Sequence, residues 1–240
     1  MTEDHSSCIR VSDRKICYKC NSIGIVKNGT TKTGKQQYFC KNCKNRFIEF
    51  YSYNAYQKTI NSKIIQLTKE GLGIRSTARI LNISTTTLLK RIIKIADTTT
   101  QPPIRYYQSY ELDEMRFFIK KKSNPQWLVY AINKETKSIA GFHVGKRTSK
   151  TLNSVVKTLL NSKPEKIYTD KLRNYQYLIP KEIHQTKRFG TNFIERKNLS
   201  IRTHLKRLNR KTICFSKSSL MLISILKIYF WSSNLFNNFL

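Results

Sequence analysis

The 240-residue sequence predicts a multidomain chain: a small cysteine-stapled ribbon, then an all-α unit, then an α/β domain with a mixed sheet. Three observations predict it. Cysteines stand in two close pairs near the start. Residues 57–96 repeat apolar positions at helical spacing. From residue 105, short strands alternate with turns, and a helix and one more strand come after them.

The cysteines read Cys17-Tyr18-Lys19-Cys20 and Cys40-Lys41-Asn42-Cys43, a C-x2-C-x19-C-x2-C pattern. Each pair places two thiolates on one side of a tetrahedral ion, which is zinc-site spacing. Residues 16–50 are therefore predicted as a zinc ribbon, with Cys17, Cys20, Cys40 and Cys43 holding structural Zn²⁺. So small a ribbon depends on its metal to fold. A hairpin between the pairs would turn at Asn28-Gly29 or Thr33-Gly34. Residues 1–15 are polar and predicted to be flexible.

Ile60, Ile64 and Leu67 mark one helix, and Gly71-Leu72-Gly73 breaks it. Ile74, Ala78 and Leu81 mark a second. Asn82-Ile83-Ser84 is the next break, with Ser84 a natural N-cap, and Leu88, Ile92 and Ile95 mark a third helix. Helix, short helix, tight turn, helix is the layout of a helix-turn-helix over residues 57–96. Its third helix would enter a DNA groove with Thr85, Thr86, Lys90, Arg91 and Lys94. Residues 97–104 carry two prolines and no apolar period, and read as a linker.

Residues 105–218 read as a meander of strands, a helix starting at Ser149, and a short strand ending in Asp170. A long basic helix is expected over residues 190–211. It carries Glu195 among Arg196, Arg202, Lys206, Arg207, Arg210 and Lys211. Ile194, Ile201, Leu205 and Leu208 would pack on the sheet, and Glu195, Asn198 and Arg202 share a neighbouring face. This order is that of a ribonuclease-H-like domain. Residues 219–240 form an apolar C-terminal segment.

Charge narrows the function. Lysine and arginine number 45 against 14 acids, for a net charge of +31. Such a chain draws polyanions by long-range attraction and counterion release. Yet three of the acids stand together at Glu111, Asp113 and Glu114. Polyanion binding alone gives no reason to keep them; a divalent metal does. Asp113 is expected to end a strand, and with Asp170 and Glu195 it would cage Mg²⁺ or Mn²⁺ in oxygen ligands. The start lacks a secretory pattern. The apolar run at residues 220–231 is interrupted by Ser224 and Lys227 and is shorter than the ~18 residues of a membrane span. The expected place is the cytoplasm, associated with the nucleoid and with no membrane partner.

Beside these readings stands a specific resemblance. The two cysteine pairs, Arg75-Ser76-Thr77-Ala78-Arg79-Ile80-Leu81, Glu111-Leu112-Asp113-Glu114, Tyr168-Thr169-Asp170, Phe193-Ile194-Glu195-Arg196 and the block Arg202-Thr203-His204-Leu205-Lys206-Arg207-Leu208-Asn209-Arg210-Lys211-Thr212 resemble transposases of the insertion-sequence IS1 family. The resemblance implies a zinc finger, a helix-turn-helix and a DDE catalytic domain, with Asp113, Asp170 and Glu195 as the metal-binding catalytic acids. It implies double-stranded DNA partners, namely terminal inverted repeats and target DNA, and a homo-oligomer at synapsis. The activity implied is metal-dependent DNA cleavage and strand transfer. The alternatives are a catalytically inactive remnant or a DNA-binding regulator. One departure stands out: the family usually has glycine after Tyr168-Thr169-Asp170, where this chain has Lys171.

Overall fold

The structure, a computed structural model, describes residues 15–48, 53–57, 59–187, 189–209, 211–212 and 214–232. Residues 1–14, Arg210 and the apolar segment beyond residue 232 lie outside these. The chain divides into two compact units, Met1–Tyr56 and Gln57–Leu240.

In the first unit, strands β1 (Ile25–Thr30), β2 (Gln36–Cys40) and β3 (Arg46–Ile48) form an antiparallel sheet in sequence order. Both glycines expected at the turn are used, for different purposes. Gly34, at φ +79°, closes the β1–β2 turn, where the Thr31 N–H donates to the Lys35 carbonyl at 2.8 Å. Gly29, at φ +69°, sits where the β1–β2 register shifts. Tyr38 and Phe47 pack with Cys17 and Cys40 into the unit's small core.

The second unit opens with helices α1 (Ile60–Lys69), α2 (Ile74–Ile80) and α3 (Thr85–Thr98). Their predicted stripes are buried at Ile60, Ile64, Ala78, Leu81, Leu88, Ile92 and Ile95. Ser84 caps α3, accepting the Thr87 N–H at 3.1 Å. The segment after α3 is tied down, since Gln101 Nε2 donates to the Ala140 carbonyl at 2.6 Å.

The sheet of this unit contains β4 (Ser109–Phe118), β5 (Pro125–Asn133), β6 (Ile139–Gly145), β7 (Lys166–Tyr168) and β8 (His184–Gln185), in the order β6-β5-β4-β7-β8. The first three are an antiparallel meander; β7 lies parallel to β4, and β8 parallel to β7. Helix α4 (Ser149–Leu160) makes the crossover into β7, and α5 (Arg173–Leu178) links β7 to β8. This is the mixed sheet of a ribonuclease-H-like domain. One sheet face packs Tyr110, Leu112, Val129 and Ala131 against Leu152, Val155, Val156 and Leu159 of α4. The other carries α6 (Asn192–His204), a 3-10 turn (Lys206–Leu208) and α7 (Ser219–Trp231).

Two expectations are corrected. Asp113 does not end a strand: β4 pairs with β5 from Tyr110 to Phe118, so Asp113 lies inside it. The basic helix does not reach residue 211 but ends at His204, because Leu205 and Leu208 turn inward and are buried. The described part of the apolar C-terminal segment is a packed helix. Helix α7 packs against α1, α3 and β6, with Phe230 and Trp231 against Phe142. Its near-uniform apolarity is explained by its being covered on several sides at once.

Gly71 fits the turn between α1 and α2 against the end of α6. Its φ is +77°, and a Cβ there would lie 2.1 Å from the His204 carbonyl oxygen. Left-handed strain and backbone overlap then add. Gly71→Ala is expected to lower stability by at least about 3 kcal/mol. Gly73, at φ −71° with open space around its Cα, should accept alanine for less than about 1 kcal/mol. Urea denaturation of the two variants measures the contrast.

Candidate active site

The site begins with where strand pairing stops. The parallel β4–β7 ladder ends at Glu111 and Tyr168. Two residues further along each chain stand Asp113, still inside β4, and Asp170, just past β7, both beyond the end of the parallel ladder. In open α/β sheets that is where ligands are bound. Carboxylate oxygens of Asp113, Glu114 and Asp170 lie within 4.8 Å of one another.

Each acid is held by its own partners. Asp113 Oδ1 accepts the Glu114 N–H at 2.7 Å, and Oδ2 accepts Nδ2 of Asn198, on α6, at 2.6 Å. Glu114 accepts the Tyr175 hydroxyl at one oxygen and pairs with Arg147 at 3.1 Å through the other. Asp170 is exposed, and its Oδ1 accepts the Leu172 N–H at 3.0 Å. That backbone bond, an Asx-type turn, shapes the loop around Lys171.

Glu111, the remaining acid of the cluster, points to the opposite side of β4 from Glu114 and is fully buried. Its Oε2 accepts the Ile194 N–H in the first turn of α6 at 2.8 Å. Its Oε1 lies 3.2 Å from Lys134 Nζ. Lys134 also donates to the Gly190 carbonyl at 3.3 Å and sits 3.9 Å over the Tyr168 ring. Glu111 thus anchors the start of α6 to the central strand. A buried carboxylate is tolerated there because a cation and a helix N-terminus both meet it.

Glu195, the expected third acid, stands in the first turn of α6, exposed, with Oε1 accepting the Thr191 hydroxyl at 2.8 Å. The three converging carboxylates do not include it; Glu114 stands in the group instead. The physical reason is local, since Tyr175 and Arg147 hold Glu114 beside Asp113 while Thr191 holds Glu195 at its own helix start. Asn198, one turn on from Glu195, is the α6 residue that touches Asp113. Spacing puts Glu195 and Asn198 on a shared face, but nothing in the residue types says which of them reaches the strand. His184 Nε2 hydrogen-bonds the Thr169 hydroxyl at 2.7 Å.

Among the residues expected to meet DNA, Thr85, Thr86, Lys90, Lys94, Arg196, Lys206 and Lys211 are exposed. Arg91 is partly covered and donates to Asn61 Oδ1 at 2.9 Å. Arg202 and Arg207 are also partly covered. Burial depresses the Arg207 pKa, and the side chain lines a cavity with Gly71, Leu72 and Ile225.

The cysteine cluster and the acid cluster each fit a metal ion. Four Sγ atoms lie within 4.8 Å of one another, with Cys17–Cys43 and Cys20–Cys40 at 3.6 Å. A tetrahedron with Zn–S bonds of ~2.3 Å has edges of about 3.8 Å. The two knuckles fold alike: Asn21 and Lys44, both at positive φ, donate backbone N–H groups to the carbonyls of Cys17 and Cys40. A backbone N–H from Cys43 helps hold the Cys40 thiol down to about 6. At the acids, oxygens sharing one Mg²⁺ at ~2.1 Å stand about 3–4 Å apart, and two ions widen the span. The donor set is all oxygen, as a hard cation requires.

The ribbon and the acids each yield an expected outcome. The purified chain should carry one zinc at the ribbon. Chelation should make residues 16–48 protease-sensitive while the melting transition of the second unit persists. Metal analysis and limited proteolysis measure both. At the acids, the Asp113 carboxyl is pushed up from 3.8 to about 6, by burial first and then by the charges of Glu114 and Asp170. A carboxylate with a raised folded pKa costs nothing below the unfolded value. Its cost grows as pH rises and is complete above about 6. Relative to Asp113→Ala, the metal-free native chain should therefore lose up to about 3 kcal/mol between pH 4 and pH 7. Denaturation at a series of pH values reads the difference, and Mg²⁺ should offset it at pH 7.

Comparison with known proteins gives consistent findings. Residues 108–232 match the family model described as IS1 transposase, and residues 51–95 match the one described as InsA C-terminal domain. The insertion element iso-IS1n protein InsB of Shigella dysenteriae is 39% identical over 108 residues, which are 45% of this chain and 82% of that protein. The insertion element IS1 2 protein InsB of Escherichia coli (strain K12) is 34% identical over 108 residues, 45% of this chain and 65% of that protein. Among solved structures, the HTLV-2 integrase catalytic core domain in complex with magnesium (trimeric form) aligns with 53% of this chain and 86% of its own. The identity is 17% and the TM-score 0.31.

Proposed function

The chain belongs to the IS1 transposase family, and on that footing we propose that it binds the terminal inverted repeats of an insertion sequence, cuts the DNA there and joins the freed ends to target DNA. The observation that carries the proposal is the meeting of Asp113, Glu114 and Asp170 where the β4–β7 ladder ends, with the Glu195 helix fixed beside them. Bound Mg²⁺ or Mn²⁺ would supply charge stabilisation for an in-line displacement at phosphorus.

The chain's own residues supply position. Asp113, inside β4, and Asp170, just past β7, offer carboxylate oxygens beyond the end of the ladder that joins the two strands. Glu195, on the α6 face that carries Asn198, is the third acid in this reading and completes the site once it leaves Thr191. Glu114, tied to Tyr175 and Arg147, sets the floor behind Asp113. Arg196 and Lys206, exposed on and just beyond α6, would hold the phosphate backbone. In the α3 helix, Thr85, Thr86, Lys90 and Lys94 would read the repeat in the major groove. Water attack frees a 3′ hydroxyl at the element end, and that hydroxyl then attacks a target phosphodiester. Both displacements use one site and require no covalent enzyme intermediate. Joining two ends calls for at least two copies of the chain. Acting on DNA, the protein would be found in the cytoplasm with the nucleoid.

The test is a cleavage and strand-transfer assay on repeat-end DNA with Mg²⁺ or Mn²⁺. Asp113→Ala, Asp170→Ala and Glu195→Ala should each lower both steps by more than about a hundredfold while repeat binding persists. If Glu195→Ala stays active and Glu114→Ala does not, Glu114 is the third acid. Repeat binding without cutting by the native chain would mark an inactive remnant or a regulator. Cutting without joining would mark a nuclease.

A further inference from the structure

We infer that Asn198 is a positioning residue for the metal-binding carboxylate of Asp113, and that the buried Tyr130 hydroxyl fixes the orientation of its amide. The inference rests on the proposed role of Asp113 as a metal ligand.

Few freedoms remain at Asp113. One oxygen is engaged by the Glu114 N–H at 2.7 Å, and the other by Asn198 Nδ2 at 2.6 Å. An ionised carboxylate has about four lone-pair positions. Each oxygen therefore keeps one free, and the two N–H bonds together fix the plane in which those lone pairs lie. The bond from the strand's own backbone cannot do this alone, since a single bond leaves the carboxyl group free to swing about it. Asn198 supplies the second fixed point from a different element. Preorganised ligands need no reordering when the ion arrives, and a partner behind the ligand holds that order.

Asparagine needs orienting too, because its two ends have opposite hydrogen-bonding character. Its Oδ1 accepts the Tyr130 hydroxyl at 2.8 Å. The Tyr130 ring is fully buried and stacks on Phe230 of α7, with centroids 6.0 Å apart. The hydroxyl also lies 3.2 Å from the Ile194 carbonyl. Flipping the amide would turn Oδ1 toward the Asp113 carboxylate, acceptor against acceptor, and lose the Tyr130 bond. The path from Tyr130 through Asn198 to Asp113 therefore has one favourable direction of donation. It crosses from β5 to α6 and back to β4, so it also ties the face of α6 that carries Glu195 to the strand that carries Asp113. None of the three side chains is needed to close the hydrophobic core on the α4 side, where Tyr110 and Leu112 pack.

The test is Mn²⁺ binding to the full-length, zinc-loaded chain without DNA, read from the electron paramagnetic resonance of free Mn²⁺, with melting temperature measured alongside. Asn198→Ala should weaken Mn²⁺ binding about 10–100-fold, as loss of a partner behind a ligand does elsewhere, with little change in melting temperature. Tyr130→Phe, which keeps the ring, should weaken it by about tenfold or less. The double variant should bind no worse than Asn198→Ala alone, because tyrosine acts only through asparagine. Native-like affinity in Asn198→Ala overturns the inference, and so do additive losses in the double variant. If Asn198→Ala melts well below the native chain, Tyr130→Phe decides, and native-like affinity there overturns it. Asp113→Ala separates this from the wider reading. Lost affinity in that variant with native affinity in Asn198→Ala removes only the inference, whereas native affinity in Asp113→Ala removes the metal site itself.

Discussion

The parallel pairing of β4 with β7, and its early end, is the constraint on which the site depends. Three paired positions suffice to set the strands side by side, and the ladder stops at Glu111 and Tyr168. Beyond that point β4 continues, still bonded to β5, while the chain after Tyr168 leaves the sheet. The gap so formed exposes Asp113 on one flank and Asp170 on the other. The local cost is a carboxylate buried beside two other acids: burial first, and then the charges of Glu114 and Asp170, raise the Asp113 pKa. A cation relieves it.

Helix α6 converts that gap into a bounded site. It is tied at its start by Glu111, through the Ile194 N–H, and in its middle by Asn198, through Asp113. At its end the His204 carbonyl lies against Gly71, in the turn between the first two helices of the DNA-binding region. One helix thus touches both the acids and the helix-turn-helix. Helix α7 reinforces the connection by packing on α1 and α3 as well as β6, and Trp231 Nε1 donates to the Ile139 carbonyl at 3.0 Å. Helices α1 and α3 and the sheet therefore pack on one helix, and the segment expected to be a plain linker is short and tethered.

Much of this is legible in the residues alone, for identifiable reasons. The cysteine ribbon shows because two C-x2-C pairs have the spacing that a metal tetrahedron dictates. The three helices show because a 3.6-residue period and a serine cap are local properties. The strand order shows because a meander followed by a helix and a strand has few right-handed solutions. The continuity of β4 does not show, because the charged stretch at its centre reads as a break unless the neighbouring strand is known. The end of the basic helix does not show either. Leu205 and Leu208 continue the apolar period of α6, yet the chain leaves the helix after His204, where both leucines turn inward and are buried.

The sequence by itself determined the elements, the metal-binding chemistry of the four cysteines, and the family, because those depend on spacing and residue type. Only the tertiary structure decided which polar side chains share a point in space. Glu111 shares the α6 face of β4 with Asp113, yet it is an anchor because the Ile194 N–H and Lys134 take its two oxygens and bury it. Glu114 joined Asp113 and Asp170, and Asn198 reached Asp113, because strand termination and helix docking are agreements between distant segments. No local pattern records them.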